Sequence, residues 1–383
     1  MYRRRGLIKG STFFFFLAIL GFTLNLLVYQ ALDLAQYKNV LRIFSIGCLL
    51  ISVACSYKRF LLQLVWTCIA LYGIVMIIVA GEHAGGNAAN IVVIVLIILA
   101  SLQLSEEELR MAFLSVAYLS IGIWIILIGV GAISISPWDT TRVSGIGSTY
   151  MVINRIRYSL GFLYEINLGA WYLTSALTII LALKGMEKGR VVIISGINIL
   201  IYIITDSRTT FYFYVLFLLI YFGFNIWDKR VKKLYVIPKG CITALCIFIF
   251  GIPFFSGIIM EHIPWVDTLF SGRLWGIANR IGGMKFHNYL LGAYNDPLAC
   301  FYYNLLTQYG IIIYMFFFVL INKALLYYSD KKKIIEFSLL LSLLAVGLVE
   351  GSLYTPEELS SLWFWSIIGR GGWNYANEKK KLY

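Results

Sequence analysis

The chain has 383 residues, of which 60% are hydrophobic and only 13% are charged, whereas a soluble domain carries about 25% charged residues. This composition excludes a soluble globular protein and indicates a polytopic membrane protein. The formal net charge is +13. Because the basic residues stand in short segments between apolar runs and form no basic domain, they do not indicate nucleic-acid binding.

Apolar runs of about 16 to 22 residues recur along the chain, long enough for α-helices to cross about 30 Å of hydrocarbon. We therefore predict an all-α fold. The first run continues past signal-peptide length without a small-residue cleavage site, so we expect it to stay in the protein as an anchor. The pattern predicts about twelve transmembrane helices, at residues 11–30, 40–56, 60–80, 88–104, 110–132, 163–183, 190–205, 209–227, 236–256, 298–320, 334–349 and 359–370.

The basic residues predict the orientation. With the N-terminus in the cytoplasm, most Lys and Arg residues fall on the cytoplasmic side, as the positive-inside rule requires. An even number of spans returns the C-terminus to the same side. The chain is then a single integral membrane domain with two long extracytoplasmic loops, at about residues 133–162 and 257–297.

A minority of the basic residues falls on the outer side, against that rule. Most of them are arginines, whose planar guanidinium binds phosphate through two parallel hydrogen bonds. They predict a site for an anionic group at the outer membrane surface; the alternative is that some only reach lipid head groups. These residues are Lys38, Arg42, Arg142, Arg155, Arg157, Arg208, Arg273, Arg280 and Lys285.

The cysteines and histidines predict neither a disulfide framework nor a metal site. The cysteines fall within or at the edge of predicted spans, which is typical of small core residues. The histidines are isolated and lack the short spacings of a zinc site. The residues concerned are Cys48, Cys55, Cys68, Cys241, Cys246 and Cys300, and His83, His262 and His287.

In the first long loop, Pro137, Gly145 and Gly147 mark turns, so we expect the loop to be irregular at its start. Arg155 and Arg157 follow near its end. In an extended chain their side chains point the same way, and on a helix they diverge by about 200°. Both alternatives place them just before the next span.

Polar residues stand at the outer ends of the next spans. Glu165 and Asn167 lie at a helix start, where polar groups at membrane depth usually face a cavity. The alternative is a helix start satisfied by Asn167. A short outer turn holds Arg208 close to the membrane surface, where its alternative role is a local ion pair with Asp206.

The second long loop contains an amphipathic pattern from Arg273 to Lys285. Arg273 and Arg280 are seven residues apart, hence on nearly one azimuth of a helix, at the edge of its apolar arc. We expect a helix that lies flat on the outer leaflet and presents both arginines to phosphates; the alternative is an interfacial helix that binds bulk anionic lipid. The arc consists of Leu274, Ile277, Ala278, Ile281 and Met284.

On the following span, Asn304 and Gln308 are four residues apart and share one helical face. Two interpretations are open for this pair. The amides can line a cavity for a ligand, or they can form a polar contact between helices.

Several motifs occur in a defined order: GFLYEINLG after the first loop, SRTTF at a later span, and then SGRLW, YLLGAYND and YYNLLTQYGII. Their order and spacing resemble those of the bacterial O-antigen and exopolysaccharide polymerases (Wzy-type), which are related to the O-antigen ligases. The resemblance covers most of the chain from about residue 130 onward. Where the ligases carry His before Asn, this chain has Tyr303 before Asn304, which favours a polymerase, and no proline precedes Gly292.

The resemblance implies glycosyl transfer between lipid-linked sugars at the outer face of the bacterial plasma (inner) membrane. The donor is then a glycan on undecaprenyl diphosphate, and the acceptor is one lipid-linked repeat unit of an O-antigen, capsule or exopolysaccharide. Arg208, Arg273 and Arg280 are the catalytic candidates for stabilising the departing diphosphate. Glu165 is the candidate base for the acceptor hydroxyl.

Further expectations complete this interpretation. Asp267 and Asp296 are reserve candidates for the base. The first exported segment contains no Asp-x-Asp pair, so we expect a metal-independent enzyme without a cofactor. The expected partners are the lipid-linked glycans, membrane lipid, a flippase and a chain-length regulator. Substrate contacts are expected from Arg142, Arg155, Arg157, Asn167, Lys285, Tyr303, Asn304 and Gln308.

Two other functions stay open. An O-antigen-type ligase would move finished glycan to another acceptor. A transporter or flippase would move lipid-linked saccharides without changing glycan length, but transporters tend to show internal repeats and polar groups at mid-membrane. The polar residues here are concentrated in the two long loops instead.

Overall fold

The computed structural model describes residues 9–55, 85–146, 149–162, 166–230, 239–270, 272–292, 298–351, 353 and 357–380. The predicted span at residues 60–80 and the residues Cys68, His83, Glu165 and Asp296 lie outside these ranges. The described chain is a bundle of helices with one β-hairpin.

The helices, in chain order, are α1 (Gly10–Gln30), α2 (Lys38–Ala54), α3 (Gly85–Gln103), α4 (Glu106–Gly129), α5 (Ile166–Lys184), α6 (Lys188–Thr205), α7 (Arg208–Arg230), α8 (Lys239–His262), α9 (Val266–Leu269), α10 (Arg273–Gly282), α11 (Phe286–Leu291), α12 (Phe301–Asp330), α13 (Ile334–Val346) and α14 (Leu359–Lys380). A 3-10 turn, Ala35–Tyr37, leads into α2. Strands β1 (Pro137–Ile146) and β2 (Thr149–Tyr158) lie between α4 and α5.

Every predicted span other than residues 60–80 coincides with a helix. Among the described residues, six helices are both long and apolar enough to cross a membrane: α1, α4, α6, α7, α8 and α12. The structure therefore confirms the helical membrane class. The number of spans and the orientation of the termini stay predictions.

The core lies between helices that pack in pairs. Helix α1 packs on α2 and α4, α14 packs on α3 and α12, and α13 packs on α7. Trp365 of α14 is fully buried, with its ring centroid 4.8 Å from that of Phe317 on α12. By contrast, Val192 and Ile203 of α6 are each 70% exposed. An outer apolar surface of this kind is what a lipid environment requires.

Charged contacts join helix ends that the predicted topology puts on the same side. At one end they are Lys9–Glu108, Lys333–Glu106, Lys239–Asp330 and Lys331–Glu378, all at predicted cytoplasmic positions. At the other end they are Arg42–Glu357, Arg157–Asp206 and Arg208–Asp206, all at predicted outer positions. We call these two regions the lysine end and the arginine end.

The first long loop is irregular over residues 133–136, as expected, but a hairpin that the sequence did not predict begins at Pro137. Pro137 lies opposite Tyr158 in the antiparallel register. Pro137 is tolerated there because a proline at the first position of a strand needs no ladder hydrogen bond, and Gly145 lies next to Ile146, at the end of β1. Arg155 and Arg157 both lie on β2, so the extended alternative is the one observed.

The second long loop is largely helical. Helix α8 continues to His262, past the predicted limit of its span at residue 256, although Pro253 lies inside it. The predicted amphipathic helix is confirmed as α10, which begins at Arg273 and ends at Gly282, before Lys285. The Gly-Gly pair at residues 282–283 ends the helix, because glycine is a poor helix former.

Candidate functional site at the arginine end

Helix α10 is held against the bundle by its apolar arc. Leu274 and Ile277 are fully buried, whereas Trp275 is 61% exposed. The helix packs along α8. The arc therefore faces protein, which differs from the expected helix lying flat with its arc in the outer leaflet. The arc faces protein because Leu274 and Ile277 pack on the side of the helix that lies along α8.

The start of α10 is capped by Asp267, one of the reserve candidates for the base. Its Oδ1 accepts hydrogen bonds from the backbone N–H of Leu274 at 2.8 Å and of Trp275 at 3.3 Å. A helix leaves its first N–H groups without backbone partners, and its positive end favours a carboxylate. Gly272, with φ at 79°, makes the turn that brings Asp267 to this position. Asp267 thus has a structural role.

The two arginines of α10 are partly buried. The Arg273 Nη1 donates to the Phe270 carbonyl oxygen at 3.5 Å. The Arg280 guanidinium lies beside Gly276, since a Cβ at that glycine would be 3.6 Å from Nη1. Both side chains start from a helix that is anchored by Leu274 and Ile277, so their positions are more restricted than those of surface arginines.

The segment after α10 is packed tightly against α12. The Tyr289 hydroxyl donates to the Ile281 carbonyl oxygen at 2.8 Å, and burial raises the pKa of Tyr289 above its ordinary value. Gly292 has φ at 80°, and a Cβ there would stand 2.5 Å from the Gln308 carbonyl oxygen. Only glycine fits this approach of two backbones.

Helix α12 is broken at Gly310, which has φ at 76° and ψ at 171°. The residues before the break are buried, and Gly310 N lies against Gly292. Interrupted helices in membrane proteins frequently form binding sites, because their free backbone groups face a cavity or a ligand.

The two side-chain amides of α12 differ in their hydrogen bonds. Asn304 Oδ1 accepts from the Leu298 N–H at 2.9 Å, and Asn304 Nδ2 donates to the Leu298 carbonyl oxygen at 2.6 Å. Gln308 is 6% exposed, and neither its Nε2 nor its Oε1 has a hydrogen-bond partner among the described residues. Asn304 therefore fixes the chain before α12, whereas the described residues offer no partner to the amide of Gln308. Tyr303 is fully buried beside them.

A second group of arginines lies where the hairpin meets the turn between α6 and α7. Asp206 Oδ2 is 3.3 Å from Arg157 Nη2, and Asp206 Oδ1 is 3.8 Å from Arg208 Nε. The local pair with Arg208 is confirmed. Sequence reasoning missed the contact with Arg157, which is 49 residues away, because it depends on the hairpin. One carboxylate here faces two guanidinium groups.

The remaining candidates are placed by the elements that carry them. Arg142 lies on β1, Arg155 on β2 and Asn167 in the first turn of α5. Lys285 is exposed and precedes α11. The structure thus arranges the candidates in two groups, one along α10 to α12 and one around the hairpin and Asp206.

Arg42 has partners that the sequence did not predict. Its Nη2 donates to Asn90 Oδ1, and its Nη1 is 3.9 Å from Glu357 Oε1. The Arg42 and Glu357 side chains are 18% and 13% exposed. The sequence contained one indication of these contacts, which is that polar residues stand near the outer ends of these spans. Arg42 therefore clamps α2 and α3 to the start of α14, which makes it a structural residue.

Within the described ranges, no group of three or more His, Cys, Asp and Glu residues is arranged to hold a metal ion. The thiols of Cys48, Cys246 and Cys300 are buried, and those of Cys55 and Cys241 are exposed; all five are free. The buried thiols pack with apolar residues in the core.

The fold and the site define a class, a helical membrane protein with a group of arginines on the hairpin, α7 and α10. No protein-family model matches the chain, and no curated protein and no solved structure matches it either. The resemblance to the Wzy-type polymerases therefore depends on the quoted motifs.

Proposed function

We propose that the protein is a metal-independent membrane glycosyltransferase that joins repeat units carried on undecaprenyl diphosphate into a surface polysaccharide. The reaction takes place at the outer face of the bacterial plasma membrane. The observation that carries the proposal is the packing of α10. Because Leu274 and Ile277 are buried against the bundle, Arg273 and Arg280 stand at a restricted position at the arginine end.

The chemistry requires positive charge more than a covalent intermediate. The acceptor hydroxyl oxygen forms a bond to the anomeric carbon of the donor, the bond from that carbon to the phosphate oxygen breaks, and the diphosphate leaves with the electron pair. The hydroxyl proton passes to a base, for which Glu165 is our candidate. Preorganised cationic donors stabilise the charge that develops on the diphosphate, and Arg273 and Arg280 can supply them.

The second arginine group supports the same step. Arg157 and Arg208 share one carboxylate, that of Asp206, so two positive charges face one negative charge at this point. Arg157 is only 14% exposed, which strengthens its interaction with an anion that approaches it. Gln308, with its buried amide, is the candidate for binding a neutral sugar hydroxyl.

The test replaces Arg273 and Arg280 with alanine, separately and together, and measures the length of lipid-linked glycan in cells with normal amounts of protein. We expect single repeat units to accumulate and long chains to be lost, with each single change lowering polymerisation about 100-fold. Arg273→Lys should retain part of the activity, because lysine keeps the charge but loses the bidentate geometry.

The matched control is Arg190→Ala at the other end of the bundle. Arg190 donates to the Gly185 carbonyl oxygen at 2.7 Å and pairs with Glu187, so the same change there removes only local contacts. Normal glycan length is expected for this control. If the Arg273 and Arg280 variants also make normal glycan, these arginines bind bulk lipid and the proposal fails.

The second candidate function is transport of lipid-linked saccharides, which the break in α12 at Gly310 favours. A flippase variant would leave repeat units on the cytoplasmic face, whereas a polymerase variant would leave them on the outer face. A ligase variant would instead accumulate finished polymer on the lipid carrier. Labelling of the lipid-linked saccharide from outside intact spheroplasts, followed by measurement of the length of the labelled glycan, separates these three outcomes.

A further inference from the structure

A cavity of about 630 Å³ lies at the lysine end, away from the arginines of the proposed site. Residues of α4, α5, α12, α13 and α14 line it, so five helices meet there. Its volume falls within the range of about 300 to 1,000 Å³ that is typical of ligand sites. The lining combines charged side chains with apolar and aromatic ones such as Leu109, Ile335 and Trp363.

Some charged groups of this cavity already have structural partners. Lys333 Nζ is 2.5 Å from Glu106 Oε2. Arg370 Nη1 donates to the Leu104 carbonyl oxygen at 2.5 Å and lies 3.5 Å from the Ser101 carbonyl oxygen, so it closes the end of α3. These contacts hold the walls of the cavity together and leave other charges for a ligand.

Apart from Arg370, which binds only backbone carbonyl groups, the charged residues of the cavity without an ion-pair partner within the described part of the chain are Arg110, Glu107 and Glu336. The Glu336 carboxylate interacts electrostatically with the side chains of Lys333, Glu106 and Arg110. Arg110 and Glu336 are therefore opposite charges that line one cavity without contacting each other. A ligand that carries one negative and one positive group would give both Arg110 and Glu336 an ion-pair partner.

We propose that this cavity binds the head group of a zwitterionic aminophospholipid. The phosphate is bound by Arg110, and the ammonium, with its three N–H donors, is bound by Glu336 and Glu107. The cavity lies at the level where α4 and α13 begin and α5 ends, which is where head groups lie when helices cross a membrane. The apolar lining suits the start of the acyl chains. This proposal does not depend on the glycosyltransferase proposal.

The test measures the midpoint of thermal unfolding of the purified full-length protein in detergent, with phosphatidylethanolamine, phosphatidylcholine or phosphatidylglycerol added. We expect phosphatidylethanolamine to raise the midpoint by about 5 °C. Phosphatidylcholine should raise it less, because its quaternary ammonium donates no hydrogen bond. Phosphatidylglycerol should raise it least, because it lacks the ammonium and leaves both carboxylates unpaired.

Two variants locate the effect. Arg110→Ala and Glu336→Gln should each remove most of the rise with phosphatidylethanolamine, whereas Lys188→Gln, which changes an exposed charge of α6 outside the cavity, should keep it. Native mass spectrometry supplies a second readout that does not depend on stability, and one bound phosphatidylethanolamine should be lost in Glu336→Gln.

Three results would overturn the proposal. An equal response to phosphatidylglycerol would mean that the cavity binds only an anion. A full response in Glu336→Gln would place the lipid elsewhere. An equal rise with soluble glycerophosphoethanolamine would show that the ligand is a soluble zwitterion and not a lipid.

Discussion

The ion pairs at the two ends of the bundle differ in how many cations share one acidic residue. At the lysine end, Lys239 is 2.8 Å from Asp330 and Lys331 is 2.8 Å from Glu378, so these cations each have an acidic partner of their own. At the arginine end, Asp206 serves two arginines. The comparison shows one-to-one pairing for these two lysines and one carboxylate between two guanidinium groups at Asp206, which is the arrangement that our proposal assigns to an anionic ligand.

The arginine end also contains a close approach of two backbones. At the arginine end, Gly292 meets the backbone of α12 in a conformation that L-residues avoid. Close packing of this kind is expected where side chains must be held in place for a ligand. The predictions below test the comparison between the two ends, from the largest expected effect to the smallest.

The largest effect is expected from Gly292→Ala. The new Cβ would stand 2.5 Å from the Gln308 carbonyl oxygen, and φ at 80° is strained for alanine. The sum of clash and strain should destabilise the protein by about 3 kcal/mol or more. The amount of folded protein after detergent extraction measures it.

Gly257→Ala is the matched control for that change. Gly257 lies in α8 with nothing within 4 Å of an added Cβ, so helix propensity should make this variant as stable as the parent protein or slightly more so. Equal behaviour of the two variants would show that the junction at Gly292 is looser than described.

The next effect comes from the two amides of α12. Asn304→Leu leaves the Leu298 N–H and carbonyl group without their partners, at a cost of about 2 to 4 kcal/mol. Gln308→Met removes a buried amide that has no partner in the described structure, and should leave stability unchanged or slightly increased. Thermal unfolding of the purified variants gives the comparison.

The same pair separates structure from function. If Gln308 binds a sugar hydroxyl, Gln308→Met should shorten the glycan in cells although the protein is as stable as before. A Gln308→Met protein that unfolds at a much lower temperature would mean that the amide has a structural partner, and Gln308 would lose its place among the candidates.

A moderate effect is expected from Asp206→Asn. The amide keeps the shape and tolerates the left-handed backbone, with φ at 47°, but it leaves the largely buried Arg157 without a counter-charge. We expect a loss of about 1 to 3 kcal/mol, dominated by Arg157, since Arg208 is 43% exposed and screened by solvent. Adding an anionic ligand such as diphosphate should restore part of this loss.

The smallest effect is expected from Lys331→Ala at the lysine end. Its pair with Glu378 is open to solvent, with side chains 43% and 48% exposed, and exposed pairs contribute little to stability. We expect no measurable change in the unfolding temperature. A clear decrease would show that the lysine end depends on its ion pairs as strongly as the arginine end does on Asp206.

Much of this fold follows from local properties of the sequence. Hydropathy indicated the membrane class and the positions of the helices, because each helix satisfies its own backbone and needs only a sufficient run of apolar residues. The spacing of Leu274, Ile277 and Ile281 predicted α10 for the same reason, since helical periodicity is a property of one segment. The sequence also showed that seven of the nine basic residues at predicted outer positions are arginines.

The contacts that give these residues their roles came only from the tertiary structure. The sequence did not indicate that the arc of α10 faces α8 or that Asp206 is shared with Arg157. Nor did it indicate that Asn304 binds Leu298 whereas Gln308 has no hydrogen-bond partner among the described residues. Each of these facts joins residues on different elements. Local pattern does not encode such contacts, because they are decided by which surfaces meet when the helices pack.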